Sequence, residues 1–349
     1  ILLALFILLT AFSGSAIHKY HEMIDWKTIV TLLSLVIIST GIRKSLLLDR
    51  LARSVLKRIK GTVPLVFFLC FLSFFLSMLL TNDIALFIVV PLTLAMSHAL
   101  AADLEKAVIF EAIAVNAGST LTPIGNPQNI FIWHKWGISF PGFMAKMLPV
   151  SIVMAATLCV FITLFFKKRA LHGAVIPEKS RIKKRLAVPS VILLVAFIAA
   201  LQYGFWLQAL PVIILFYLFV NREVLRATDW LLIVTFILMF IDFGLIAGLG
   251  TAKKAVAVFP LSGPGAVMAL SAGISQLISN VPGAIFMSGF STNWKEIAWG
   301  ANLAGNGIVI GSLANIIALR LLKPSGPAVF ARFHIYSVPF FLITFAAVF

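Results

Sequence analysis

Charge is what this sequence lacks. Of its 349 residues only 11% are Asp, Glu, Lys or Arg, while 61% are hydrophobic, and the mean hydropathy is +1.07. A soluble domain needs a charged surface, so that class is excluded and a polytopic membrane protein is implied. Cysteine is almost missing: Cys70 and Cys159 both fall inside apolar runs, where they pack as small hydrophobes, and no disulfide framework follows. Histidines do not cluster. His18 and His21 form an HxxH pair in a short loop without further ligands, and His98, His134, His172 and His334 stand apart. No GxSxG elbow, HExxH pair or phosphate-binding loop occurs, and no nucleophile sits beside a base at suitable spacing, so an enzyme is not expected. Nor does any stretch show the residue-by-residue alternation of a barrel strand. The fold class is therefore all-α.

Acidic residues are the scarcer sign, 12 against 28 Lys and Arg, for a net charge of +16. The basic residues gather in short loops, so they report membrane orientation and imply no nucleic-acid partner. Residues 43–60 hold seven Lys/Arg against one Asp, and residues 167–185 hold eight against one Glu; both are expected on the cytoplasmic side. The first is amphipathic, with Leu47, Leu51, Val55 and Ile59 on one helical stripe, and predicts a helix along the inner interface.

What is plentiful is apolar sequence of membrane-crossing length. Spans are predicted at 1–12, 25–42, 107–135, 145–166, 186–203, 205–220, 228–250, 295–322 and 327–349. Two further apolar regions, 62–100 and 262–290, are interrupted by TND at 81–83 and SNVPG at 279–283, as re-entrant hairpins would be. With hairpins there, Arg222, Arg226, Arg320, Lys323 and Arg332 fall inside; two full crossings at 62–100 would give the same sidedness. The chain is expected to divide into a truncated N-terminal span and outer loop (1–24), a first repeat (25–166), a basic linker (167–185), connecting spans (186–227) and a second repeat (228–349). Asp25-Trp26 and Asp229-Trp230 open spans of opposite predicted orientation. Ile124, Gly125, Asn129 and Ile130 match Ile310, Gly311, Asn315 and Ile316, and Asn116 matches Asn302, all at a separation of 186 residues. Opposed orientation makes this an inverted repeat, the organisation of secondary transporters.

Within these spans the stretch GSTLTPIGNPQNI, 118–130, places two Gly, two Pro and two Asn where an uninterrupted helix would serve lipid better. Unwound backbone at membrane depth is tolerated only against protein or a water-filled cavity. The partner stretch GNGIVIGSLAN, 305–315, breaks with Gly and Asn. Facing half-helix ends would offer amides to an anion and carbonyls to a cation. Candidate binding residues are Thr81, Asn82, Asp83, Ser279 and Asn280 from the tips, and Thr122, Gly125, Asn126, Asn129, Gly311, Ser312 and Asn315 from the breaks. Asn82, Asn129, Asn280 and Asn315 are the candidate Na⁺ set. A membrane carboxylate is costly unless paired, cation-bound or protonated, which makes Asp83 the first coupling candidate, ahead of Asp242 and Glu111. No Lys or Arg adjoins any interruption, so a bound anion must rely on amides, hydroxyls and a co-bound cation.

TNDIALFIVVPLTL resembles the ND-containing hairpin of arsenite permeases, and GSTLTPIGNPQNI resembles the break of citrate carriers. Together with SNVPG they make the chain similar to the ion transporter superfamily, the group holding arsenite permeases, the NhaD sodium/proton antiporter and citrate/dicarboxylate transporters. That resemblance implies two inverted repeats, each with a re-entrant hairpin and a broken helix, an elevator movement, a multi-pass inner-membrane location and a homodimer. Dicarboxylate carriers of this group show Ser-Asn-Thr at both tips, where this chain has TND and SNV. The expected activity is secondary transport of a small inorganic or organic ion, an anion being favoured, coupled to H⁺ or Na⁺ and needing no other cofactor. A Na⁺/H⁺ antiporter and a passive channel are the alternatives.

Overall fold

The computed structural model describes residues 2–12, 20–56, 58–170, 182–259, 261, 263–322 and 328–349. Among them there is no named strand, only an isolated bridge between Gly61 and Ala170. His18, Lys323, Lys57, residue 327 and most of the basic linker, 171–181, lie outside the described residues.

The first half runs α1 (Leu2–Phe12), α2 (Tyr20–Met23), α3 (Trp26–Lys44), α4 (Leu47–Leu56), α5 (Thr62–Leu79), α6 (Asn82–Ala95), α7 (Ser97–Leu100), α8 (Leu104–Ser119), α9 (Pro127–Lys135) and α10 (Phe140–Phe165). There follow α11 (Lys184–Gln202), α12 (Trp206–Val220) and α13 (Arg222–Arg226). The second half is α14 (Trp230–Gly248), α15 (Gly250–Ala257), α16 (Pro264–Ile278), α17 (Asn280–Met287), α18 (Trp294–Ala304), α19 (Leu313–Leu321) and α20 (Ala328–Val348).

Among the described residues α3, α5, α10, α11, α14 and α20 are long and apolar enough to cross a membrane. Outward-facing side chains such as Leu164, Val195 and Leu342, each more than half exposed, would be untenable in water and suit lipid. The chain is a multi-pass membrane protein. The spans expected at 107–135 and 295–322 are each two helices with an unwound stretch between, and α12, at 15 residues, falls short of the roughly 20 residues a full crossing takes.

Both Asp-Trp pairs have the same local chemistry. Asp25 accepts from Thr28 N at 2.9 Å and Asp229 from Leu232 N at 3.0 Å, each capping the helix that follows. The Trp26 and Trp230 indoles donate five residues back, to His21 O at 3.2 Å and Leu225 O at 2.9 Å. The interfacial helix forms as α4, but its buried side is Ala52 and Leu56, while Leu51 of the expected stripe is 54% exposed. The reason is packing: α4 turns Ala52 and Leu56 inward beside α3 and α6, which leaves Leu51 outward; the Val55 side chain lies outside the description.

Two packing patterns recur between the halves. α5 lies along α8 as α16 lies along α18. Each crossing is made close by a glycine: a Cβ on Gly118 would sit 2.0 Å from Phe74 O, and one on Gly300 would sit 2.4 Å from Met268 O. Other contacts are exchanged between the halves. α19 packs on α6 and α9 on α17, and α10 meets α18 as α20 meets α8. Around this unit α3 packs on α11 and α12, and α14 on α1.

Candidate functional site

The helix α8 ends at Ser119 with carbonyls that have no partner within the helix. Asn129, two residues into α9, collects them: its Nδ2 lies 3.1 Å from Ser119 O, 3.2 Å from Thr120 O and 3.1 Å from Thr122 O. Asn126 caps α9 by accepting from Asn129 N at 2.9 Å, with Pro127 at the first helical position. Gly125 turns so tightly beneath α8 that a Cβ there would lie 2.3 Å from Ser119 O. The GSTLTPIGNPQNI stretch is thus a packed, hydrogen-bonded turn, all of it buried except half-buried Leu121.

The second break is secured differently. Gln276 of α16 donates to Ala304 O at 2.7 Å and accepts from Ile308 N at 2.7 Å. From α20, His334 Nε2 accepts from Val309 N at 3.0 Å and Ser337 Oγ donates to Gly307 O at 2.6 Å.

The two breaks meet through a reciprocal brace. Asn302 of α18 donates to Asn129 Oδ1 at 2.7 Å and accepts from Asn126 Nδ2 at 2.9 Å. Asn116 of α8 donates to Asn315 Oδ1 at 2.8 Å and accepts from Ser312 Oγ at 3.0 Å. A third matched pair completes it: Asn129 Nδ2 to Ser119 O and, at 2.8 Å, Asn315 Nδ2 to Gly305 O. In every pair the residues differ by 186 positions. Each half therefore holds the break of the other. All of these side chains are buried.

The tips reach the same region. Asn82 N donates to Gly125 O at 3.0 Å, seating the first tip on the first break, and Thr122 Oγ1 donates to Met78 O at 2.6 Å. A Cβ on Gly305 would lie 3.4 Å from Asn280 Nδ2 and 3.5 Å from Asn116 Cγ, so the second tip comes to the brace. Ser279 sits there at φ +79°, a region L residues seldom occupy, with its hydroxyl 3.5 Å from Asn280 Oδ1. Gly311 packs against Ala304 O.

Two groups stand out among the candidate residues. Asn126, Asn129, Ser312 and Asn315 commit their side chains to the brace. Thr81 Oγ1 and Asp83 Oδ1 are buried without a hydrogen-bond partner. Sequence reasoning had passed over Asn116 and Asn302 except as matched positions, although their 186-residue spacing was the available signal. It also passed over Gln128, whose Oε1 is unpartnered, and Asn306, whose amide is fully buried and wholly unpartnered. An unpaired buried amide is a place where a water or ligand is expected.

Glu111 and Asp242 lie elsewhere. Glu111 of α8 accepts from Thr93 of α6, and its other oxygen is unpartnered. Asp242 is buried in α14 with both oxygens unpartnered, roughly 20 Å along the helix axis from Asp229. Among the described residues no group of three or more His, Cys, Asp or Glu is placed to hold a metal ion.

Residues 1–299 match the citrate transporter family, CitMHS. The chain belongs to that family. Inner membrane protein YbiR of Escherichia coli is 37% identical over 96% of this chain and 89% of its own length. The uncharacterized transporter MJ0456 of Methanocaldococcus jannaschii is 34% identical over 87% of this chain and 83% of its own. A putative transporter arsB of Dictyostelium discoideum matches at 26% over 42% of this chain and 26% of its own length. The family, MJ0456 and arsB are named as transporters, YbiR as an inner membrane protein, and none of them as an enzyme. The match to the family stops inside α18, short of the second break, whereas the YbiR match runs over nearly all of the chain.

Proposed function

We propose that this citrate-transporter-family protein is a secondary active transporter of a small inorganic or organic ion, coupled to Na⁺ or H⁺. Its two halves are inverted repeats, its solute site lies where the tips meet the breaks, and the tip-and-break unit moves as an elevator against α3, α11, α12 and α14 in a homodimer. The observation that carries this reading is the reciprocal Asn brace. Two pairs of hydrogen bonds related by one constant spacing tie each unwound segment to a helix of the other half, and a third pair ties each segment to the helix end before it, the arrangement expected of an alternating-access site. Support for coupling comes from buried, unpartnered Asp83 at the first tip. The break segments 118–130 and 305–315 contain no Lys or Arg, so an anion such as the citrate of the family's name is carried with cations that offset its charge.

The test is uptake into proteoliposomes of citrate, other carboxylates and inorganic oxyanions under imposed Na⁺ or H⁺ gradients. Saturable, gradient-driven uptake of one class is expected, and Asp83→Asn should uncouple it. Flux that ignores both gradients and is unchanged by Asp83→Asn would remove the reading. A second carboxylate, Asp229, lines the same small cavity as Asp83 and favours one second reading, a Na⁺/H⁺ antiporter, whose flux would need no other solute.

A further inference from the structure

A large apolar groove lies on the second half, and none of its wall residues takes part in the brace. It measures about 760 Å³, and its walls include Phe243 of α14, Ala255 of α15, Ala269 and Gly273 of α16 and Phe286 of α17. Every residue on the wall is apolar. Small residues make the space: a Cβ on Gly273 would meet nothing within 4 Å. Leu277, also on the wall, is 74% exposed, so the groove opens sideways to the surroundings of the helix bundle.

Its length is that of one lipid leaflet. Along α16 the wall runs from Ala266 to Ile278, which at 1.5 Å per residue is about 18 Å, against about 15 Å for half of a hydrocarbon core. It starts beside the last turns of α14, a helix long enough to cross the membrane, and beside α15, which follows at once. Ala252, Ala255 and Val256 line it from one face of α15. Lys253 and Lys254 lie off that face and are exposed. An apolar face turned in and lysines turned out is how a helix rests at the membrane interface. Between Asp242 and Lys295 these two lysines are the only charged residues in the sequence. Among the described residues neither has an ion-pair partner.

We infer that the groove holds an acyl chain of an anionic phospholipid, whose phosphate rests on Lys253 and Lys254. An open apolar trough at membrane depth fills with hydrocarbon, because an empty one forfeits the dispersion contacts of its lining. Tails do not discriminate among lipids here, since they are as apolar in the bilayer as in the groove. The lysines at the mouth therefore set the choice. A second copy of the chain fits less well: a two-fold contact would set concave face on concave face and each lysine pair near its own copy. The lipid stands where α14, counted with the surrounding helices, faces the hairpin α16–α17. The site goes beyond the transport reading and does not depend on it.

The experiment is thermal unfolding of the purified full-length protein in detergent, titrated with phosphatidylglycerol or with phosphatidylcholine of the same chains. Phosphatidylglycerol should raise the midpoint saturably, with a half-saturating concentration about 10- to 30-fold below that of phosphatidylcholine. Glycerol phosphate, the headgroup without chains, should leave the midpoint in place. Lys253→Gln combined with Lys254→Gln should bring phosphatidylglycerol to the level of phosphatidylcholine, whereas Lys146→Gln, at an exposed lysine of α10, should not. Ala269→Phe fills the groove and should abolish the response to both lipids; Gly273→Leu serves in its place if that variant does not fold. Equal responses to the two lipids in wild type, an unchanged preference in the double lysine variant, or a full response in the filled variant overturns the inference. So does a glycerol phosphate effect equal to that of the lipid. A dimer that Ala269→Phe dissociates, with no lipid preference in wild type, assigns the groove to a second copy and likewise overturns it.

Discussion

Replacing Asn129 separates the brace from a mere polar contact. In wild type its Nδ2 serves the carbonyl end of α8 and its Oδ1 takes the Asn302 amide at 2.7 Å. An amide has two hydrogens, so Asn129→Ala removes two donors and one acceptor and strands partners in a buried site. At about 1 kcal/mol per net bond in proteins, or about 0.6 on average between membrane helices, the loss is roughly 2 to 3 kcal/mol. Asn129→Asp has the same shape, yet it points a carboxylate at the carbonyls of Ser119, Thr120 and Thr122, and it should destabilise more than Ala does. A double-mutant cycle with Asn302→Ala should return a coupling of about 0.6 to 1.7 kcal/mol. Midpoints of thermal unfolding in detergent, read by size-exclusion fluorescence, report the order wild type, then Ala, then Asp. An Asp variant more stable than the Ala variant, or an Ala variant within about 0.5 kcal/mol of wild type, would refute the reasoning.

Gly118→Ala and Gly300→Ala each drive a Cβ into a neighbouring backbone carbonyl, at 2.0 and 2.4 Å, and should cost about 3 kcal/mol or more, seen as loss of monodisperse protein. Gly273→Ala, in the middle of α16 with no neighbour within 4 Å, should instead stabilise by about 0.5 to 1 kcal/mol in the same assay. Tyr217→Phe removes a buried bond from Tyr217 OH to Ser190 Oγ at 2.8 Å between α12 and α11; a loss of about 1 kcal/mol with unaltered flux is expected, since neither residue adjoins the brace.

Much of the architecture was legible because lipid imposes a simple rule on sequence. Apolar runs located α3, α10, α11, α14 and α20 to within a few residues, and the Gly, Pro and Asn of 118–130 marked the first break. The Asp-Trp pairs were legible as a recurrence, but their reason, a cap combined with an indole bond five residues back, is local geometry that composition does not carry. The site was harder to read. A polar residue in a break looks equally suited to hold solute or to hold backbone, and only the fold reveals that Asn126, Asn129, Ser312 and Asn315 do the latter. The constant spacing identified equivalent positions without telling that the partners would be exchanged between halves.

The exchange of partners between halves has a consequence for biogenesis. A ribosome delivers α8 and α9 long before it reaches Asn302, so the first break enters the bilayer with the Asn129 side-chain oxygen Oδ1 and one of the Asn126 contacts still open. Until α18 is inserted, that nascent segment must find water or a chaperoning neighbour instead. A chain terminated just ahead of α18 is therefore expected to be a degradation substrate rather than a stable half-transporter.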